Sequence, residues 1–392
     1  MIPKKNIKEV LPPVETFANI KVVGVGGSGN SAVNRMVAAR IRGVEFIAVN
    51  TDAQALHSSV ASHKVHIGRT TTRGLGAGMD PDLGLKSAEE NEQEILSKLS
   101  GADMVFITCG LGGGTGTGAA PVIADIAREL GALTVAVVTK PFTFEGVQRR
   151  DIAERGLERL MDKVDTIITI PNDRLLQIID RKTSLLDAFA IVDEVLKQGV
   201  QGISEVITVP GLVNVDFADV KAIMKQAGSA LMGIGKASGD ERAKEAAKAA
   251  IDSPLLELSI NGATGVLFTI SGSTNLTMYE VSEAAEVITA HCDPEAKIIF
   301  GAVIDETLGE DVKVTVIATG FKKNAESKVE SSTRPTTVYA DAFTKTAEDR
   351  QVKKAFEKLP EREEEELDLA PKSKEEEELD IPAFLRKKIR DR

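Results

Sequence analysis

The sequence predicts an α/β fold, a doubly wound parallel sheet followed by a second, smaller α+β domain, and three observations predict it. Short apolar, β-branched runs alternate with amphipathic stretches from residue 20 to residue 170, the order that βαβ units require. Two of those runs turn through glycines into helices, at Gly24-Val25-Gly26-Gly27-Ser28-Gly29-Asn30-Ser31 and at Gly110-Leu111-Gly112-Gly113-Gly114-Thr115-Gly116-Thr117-Gly118. At 392 residues and 42% hydrophobic, the chain can bury a large core and fill about two domains plus tails.

Composition excludes several classes. A net charge of −11 argues against broad nucleic-acid binding, which needs a basic face to neutralise phosphates. A few bound phosphates need only local N–H donors. The two cysteines, Cys109 and Cys292, form no C-x-x-C pattern and no disulfide framework, so a reducing cytoplasm is expected. The first ten residues carry lysines but no apolar stretch, and no apolar run approaches the ~18 residues of a membrane span. Membrane association is expected only through a partner or a surface-lying segment.

Residues 1–19 form a polar, proline-containing arm. A strand at 20–25 then turns into a helix expected around 32–39. Gly24, Gly26 and Gly29 fit G-x-G-x-x-G, and Asp52 closes the next strand about 20 residues on, as in a Rossmann-type dinucleotide fingerprint. A nicotinamide or flavin enzyme is therefore a competing reading. Two further glycine loops weigh against it, the one at 110–118 and another at Arg73-Gly74-Leu75-Gly76-Ala77-Gly78. One pyrophosphate does not need three such loops; a nucleotide with a chain of phosphates can use them all.

The loop at 110–118 is bracketed by a buried strand, Met104 to Thr108, and a helix expected at 119–127 with Pro121 in its first turn. Strand, glycine loop and helix make a phosphate cradle, in which successive N–H groups turn toward an anion at a helix N-terminus. Thr115 and Thr117 can add hydroxyl donors. The next strand, 132–139, ends in a loop through Pro141 to Gly146 at the same sheet edge. There Glu145 and Arg149 suit ribose and phosphate, or are ordinary helix-surface charges. The strand 166–170 ends in Pro171-Asn172-Asp173, and no lysine-bearing Walker A motif occurs.

A long helix is expected over 184–207, its apolar residues spaced by three and four. Phe189 and Asp193 share a face on it. An aromatic plane beside a carboxylate suits a purine with N1–H and an exocyclic amine to donate, which is guanine rather than adenine. Phe189 reads equally well as plain core. Asp216 and Asp219 open the following helix, either as an N-cap with a dipole-favoured acid or as a pair that polarises a water for attack on phosphate.

From 230 to 320 the expected order is strand 230–234, helix 239–251, strand 264–271, helix 277–290 and strands 298–304 and 312–319. This second domain carries no glycine phosphate loop and reads as structural or interfacial. His63 and His66 could clasp a metal, but no cysteine or carboxylate set accompanies them at ligand spacing, so no metal site is expected. Residues 322–378 read as a charged, disordered linker with a short helix around 352–359. The apolar and basic residues of 379–392 read as a docking peptide, with anionic lipid as the competing target.

The glycine loops, the Pro141-Phe142-Thr143-Phe144-Glu145-Gly146 segment, Asn214-Val215-Asp216-Phe217-Ala218-Asp219 and the terminal peptide resemble the FtsZ family of bacterial, tubulin-like cell-division GTPases. The resemblance implies a tubulin-like fold: a GTP-binding domain at 20–183, a central helix at 184–207, and a second α+β domain at 208–321. It implies that Gly27, Ser28, Gly29, Asn30, Ser31, Gly114, Thr115 and Gly116 hold phosphates and that Glu145 and Arg149 reach the ribose side. It further implies that Asn172, Phe189 and Asp193 hold guanine. Asp52, Gly76, Ala77, Gly78, Gly110, Gly112, Gly113 and Thr117 complete the candidate cofactor-binding set. Asn214, Asp216 and Asp219 would be catalytic in the pocket of the next subunit, so that hydrolysis needs a head-to-tail homopolymer. GTP and GDP, with Mg2+, are the implied ligands, and the implied place is the cytoplasmic division site, reached through membrane-anchoring partners of 379–392. Ser28 departs from the family's frequent glycine and Ser31 from its common asparagine.

Overall fold

The computed structural model describes residues 18–176, 182–208, 211–213, 215–253 and 259–321. Residues 1–17 of the arm, Asn214, the expected linker with its helix at 352–359, and the peptide at 379–392 lie outside the described residues.

In chain order the elements are β1 (Ile20–Val25), α1 (Gly26–Ala38), β2 (Val44–Asn50), α2 (Ala53–Ser58), β3 (His63–His66), α3 (Pro81–Glu90) and α4 (Glu92–Leu99). Then come β4 (Met104–Gly110), α5 (Thr115–Glu129), β5 (Leu133–Lys140), α6 (Val147–Met161), β6 (Thr166–Pro171) and α7 (Asn172–Leu175). The long α8 (Leu185–Thr208) leads to α9 (Phe217–Met224), β7 (Gly228–Ala237), α10 (Arg242–Ile251), β8 (Gly265–Gly272), α11 (Met278–Thr289), β9 (Lys297–Ile304) and β10 (Val312–Thr319).

Among the described residues the strands form one sheet in the order β3-β2-β1-β4-β5-β6-β7-β10-β8-β9. The first seven strands in that order are parallel, and β10 runs antiparallel to both β7 and β8. The order reverses between β1 and β4, where a doubly wound sheet opens a crevice at its carboxyl edge. Both faces of the strands are buried because side chains alternate. Val22, Phe106, Val135 and Ile168 join one core with α1, α8 and α9; Val23, Ile107, Ala136 and Ile167 join another with α3 to α6. A third core packs Ala246, Ala250 and Ile288 of α10 and α11 on Phe268 and Val314.

The two ends of the sheet are joined through β7, which pairs with β6 from Gly228 to Ala230 and with β10 from Leu231 onward. α8 lies across the same junction: a Cβ on Gly199 would stand 3.1 Å from Val137 Cγ1, and one on Gly202 3.0 Å from Thr315 Cγ2. The strands and helices expected between 230 and 319 form close to their anticipated boundaries.

The helices after the glycine loops begin earlier than the sequence pattern suggests. α1 starts at Gly26 rather than near Ala32, and α5 at Thr115 rather than Ala119, which leaves Pro121 in the helix interior. The reason is close approach. A Cβ on Gly29 would meet Thr108 O at 2.4 Å, and one on Gly118 would meet Pro81 O at 2.0 Å, so these glycines let helix backbone touch its neighbours. α3, α4 and β3 were not anticipated, although Asp80 capping Asp82 N and Leu83 N ahead of Pro81 is a recognisable start signal. On β3, His63 and His66 are three residues apart and face opposite sides, which removes the metal clasp. His63 Nε2 meets Glu45 Oε1 at 2.5 Å instead.

No described helix is long and apolar enough to cross a membrane. Helix propensity alone would make Gly118→Ala stabilising by about 1 kcal/mol. The approach of α3 reverses the sign, and a loss of about 2–3 kcal/mol is expected from the overpacking. Urea unfolding of the two proteins measures it; an unchanged or raised midpoint would contradict the α3–α5 contact.

Candidate functional site

A cleft of about 300 Å³ opens at the β1/β4 switch point. Its floor is the beginning of two helices. Gly26, at φ 73°, starts α1 directly after β1, and a Cβ there would stand 3.0 Å from Gly116 N in the first turn of α5. Two helix N-termini with their unpaired N–H groups therefore converge on one place, which suits a polyanion. Gly27, Ser28, Gly110, Gly113, Gly114, Thr115 and Gly116 line this end, and Gly78 reaches it from the loop before α3.

The loop is held by its own polar groups. Gly112 takes φ 98°, its N–H donates to Thr117 Oγ1 at 3.0 Å, and Gly114 N donates to Gly78 O at 2.8 Å. The Thr51 and Thr115 hydroxyls bond each other at 2.7 Å in a buried contact. The Thr117 hydroxyl thus faces loop backbone, while Thr115 borders the cleft.

The other end of the cleft is built at β5, β6 and α8. Arg149 Nη1 donates to Glu145 Oε2 at 2.6 Å, and Glu145 Oε1 accepts from Phe142 N at 2.9 Å. Asn172 opens α7, is 5% exposed, and its Oδ1 has no hydrogen-bond partner. Phe189 is 41% exposed, its ring edge-on to Phe142 with centroids 5.9 Å apart. It is therefore not core. Asp193, one helical turn further along α8, is 8% exposed, and its Oδ2 accepts from Arg35 Nε at 2.8 Å. Burial pushes the Asp193 carboxyl above its ordinary range, partly offset by Arg35. A free aromatic face, a carboxylate and an unsatisfied buried amide oxygen at one end can hold a planar base that has hydrogen-bond donors on its edge.

Several sequence candidates stand outside the lining. Gly29, Asn30 and Ser31 lie deeper in α1. Oriented with its nitrogen toward β1, the Asn30 amide donates to Gly24 O at 2.8 Å and accepts from Asn50 Nδ2 at 3.0 Å. Asp52 caps α2 through Gln54 N and Ala55 N, at 2.8 and 3.1 Å, and Leu75 bridges to it. Gly76 and Ala77 lie in the loop behind Gly78. The sequence did not single out Arg35, because its partner Asp193 is 158 residues away.

Asp216 and Asp219 do not line the cleft either. From Phe189 to Thr208, α8 runs about 28 Å at 1.5 Å per residue, ending where Thr208 Oγ1 donates to Arg42 O at 3.3 Å, beside the amino end of β2. Asp216 caps α9 by accepting from Ala218 N at 3.0 Å, and both carboxylates are exposed. The far end of α9 is fixed under β6, where Thr166 Oγ1 donates to Met224 O.

Residues 19–180 match the GTPase domain of the Tubulin/FtsZ family and residues 228–322 the C-terminal domain of the FtsZ family. An FtsZ of M. jannaschii, solved as an empty dimer, is 49% identical over 78% of this chain and 89% of its own, with a TM-score of 0.75. A point mutant of FtsZ from M. jannaschii gives the same identity and TM-score and is covered to 92%. CetZ2 from Haloferax volcanii shares the fold at 22% identity over 80% of this chain and 96% of its own, with a TM-score of 0.66. A switch-point cleft floored by two helix N-termini, and 49% identity sustained over 78% of the length, make the chain a member of the FtsZ family that carries that family's GTPase domain.

Proposed function

We propose that this chain binds GTP in the switch-point cleft, assembles head to tail into filaments, and hydrolyses GTP where one subunit meets the next. The observation that carries this reading is the separation of phosphate donors from free acids. The cleft has phosphate donors, whereas its lining carboxylates, Glu145 and Asp193, are held by Arg149 and Arg35 near its other end. The exposed pair Asp216 and Asp219 sits past the far end of α8. A head-to-tail contact brings that pair, with Asn214, over the cleft of the neighbouring subunit, where it can polarise the attacking water. Such a heterologous contact propagates as an open filament. The dimer of the M. jannaschii relative supports self-association.

Within the cleft, Gly27, Ser28 and Gly113 to Gly116 hold the phosphates, Glu145 and Arg149 the ribose, and Phe189, Asn172 and Asp193 the guanine. Gly29, Asn30 and Asp52 support this wall from behind, and Ser31 stands exposed on α1. Among the described residues no group of three or more His, Cys, Asp or Glu side chains could hold a metal. Mg2+ would arrive on the phosphate oxygens with most of its waters, neutralising charge there. In the cell the filament scaffolds the division ring at the septum, and residues 379–392 dock it to membrane-anchoring partners. Deleting 379–392 is expected to leave assembly intact and abolish localisation to the division site in cells; loss of assembly in vitro would count against that role.

Phosphate release against protein concentration tests the shared site. Specific activity is expected near zero below a threshold and climbing above it; a constant value from the lowest concentrations would overturn the in-trans site. Asp216→Asn, which keeps the α9 cap, is expected to bind GTP normally and to turn it over about 10²-fold more slowly.

Asp193 gives a separate test of the base. Asp193→Asn is expected to weaken GTP binding by about 10²-fold, the cost of replacing an acceptor that meets two N–H groups, and to favour XTP, whose base presents a carbonyl there. Guanine needs the carboxylate ionised, and the raised pKa makes wild-type binding fail on acidification sooner than an ordinary aspartate would. Isothermal titrations at several pH values read both effects; unchanged GTP affinity in the variant would refute the base assignment.

A further inference from the structure

A second groove, of about 530 Å³, runs between α10 and α11. It lies on the sheet face opposite α8: Val266 and Phe268 of β8 pack with α10 and α11, whereas Leu267 between them packs with α8 and α9. The two helices run in the same direction, because α10 follows β7 and α11 follows β8, and both strands are antiparallel to β10. Arg242 at the start of α10 sets their register, its Nε donating to Glu280 Oε1 in α11 at 2.6 Å. That offset of 38 residues puts Lys248 level with Glu286, and Asp252 level with Ala290 beside His291.

The floor of the groove is apolar, from Ile251, Val287 and Ala290. Its rims carry opposite charge, Lys244 and Lys248 on α10 against Glu283 and Glu286 on α11, and at the far end the acid, Asp252, stands on the α10 side and His291 on the other. Lys244 is paired along its own helix, Nζ to Glu241 Oε2 at 3.2 Å. Among the described residues Lys248, Asp252, Glu283 and Glu286 make no ion pair.

Rims that hold opposite charges apart fit a partner presenting the reverse pattern, and a second copy of this chain presents it. A two-fold axis parallel to the helices lays α10 of each copy on α11 of the other. Lys244 and Lys248 then face Glu283 and Glu286 twice over, and Asp252 faces His291. Turning the second copy end for end in full overlap would set Lys248 against Lys248. We propose that the α10–α11 groove is a self-association face that joins subunits of neighbouring filaments side by side. This rests on the filaments proposed above. Neither the residues lining the cleft nor Asp216 and Asp219 line the groove, so a head-to-tail contact leaves it open.

The size of the face fits that role. A helix of 10 residues is ~15 Å long and ~10 Å wide, so two of them offer roughly 300 Å² per partner, against about 800 Å² in a stable pair. One such contact is weak, and many along a filament add up.

The test is a charge swap at one level of the groove in the full-length protein. Lys248→Glu and Glu286→Lys each put like charges in contact across the two-fold; the double variant exchanges the signs and restores the match. All four proteins are assembled with GTP at low salt. Low-speed sedimentation reads bundles, high-speed sedimentation reads total filament, and phosphate release reads turnover. Each single reversal is expected to lower the bundled fraction about fivefold or more, since a small loss at each contact multiplies along the filament. Total filament and turnover are expected within about twofold of wild type, exposed charges costing little stability. The double variant is expected to bundle again, and added salt to disperse wild-type bundles. Single reversals that bundle like wild type, a double variant that stays dispersed, or wild-type filaments that remain single at low salt would each overturn the face. Wild-type protein that forms no filaments with GTP would instead overturn the filament reading, and this inference with it. Should a reversal fail to fold, as thermal unfolding would show, Lys248→Gln with Glu286→Gln decides: bundling is expected to fall, and unchanged bundling refutes the contact.

Discussion

Everything at the site depends on α1 and α5 beginning side by side. With Gly26 and Gly116 in backbone contact, the positive ends of two helices are held a few ångströms apart. About half an elementary charge stands at each, so the arrangement repels itself until an anion lies between them. The glycines make the approach sterically allowed, because a Cβ at Gly24 would meet Gly29 O at 2.4 Å and drive α1 off β1. The surrounding polar contacts hold the strained pair together: Asn30 to β1, Thr51 to Thr115, and Gly114 to Gly78. A ligand that relieves the repulsion binds the folded state alone and adds to its stability by mass action.

Much of this was legible in the sequence, and what was not has identifiable reasons. The parallel strands stood out because double-sided burial writes continuous apolar runs such as Val135 to Val138. The starts of α1 and α5 did not, because glycine that permits close packing is indistinguishable in sequence from glycine that permits a turn. Phe189 stayed ambiguous since it shares the helical period of Val192, Leu196 and Val200. Only its place at the cleft end of α8, beyond the strands that cover those residues, leaves its face open. Asp216 reads in sequence as a cap or as one of a water-polarising pair; the structure shows the cap, made through one carboxylate oxygen.

α8 gives the molecule its second constraint. It carries Phe189 and Asp193 at one end and leads to Asp216 beyond the other, packing on β5 and β10 through Gly199 and Gly202. The cleft end of α8 and the end that leads to Asp216 and Asp219 are therefore held apart by one packed helix. On the function proposed above, this rigidity protects the bound nucleotide. A lone subunit offers its phosphates backbone donors, while the two carboxylates lining its cleft are engaged by arginines near the opposite end. Among the described residues no other carboxylate lines the cleft, and on that proposal a neighbour supplies the general base by adding to the filament. On the same proposal, the contact that lengthens the filament also completes the hydrolytic site. The proposed coupling needs no moving part inside the subunit; it follows from placing the cleft and the exposed acids at opposite ends of α8, which is packed on β5 and β10 between them.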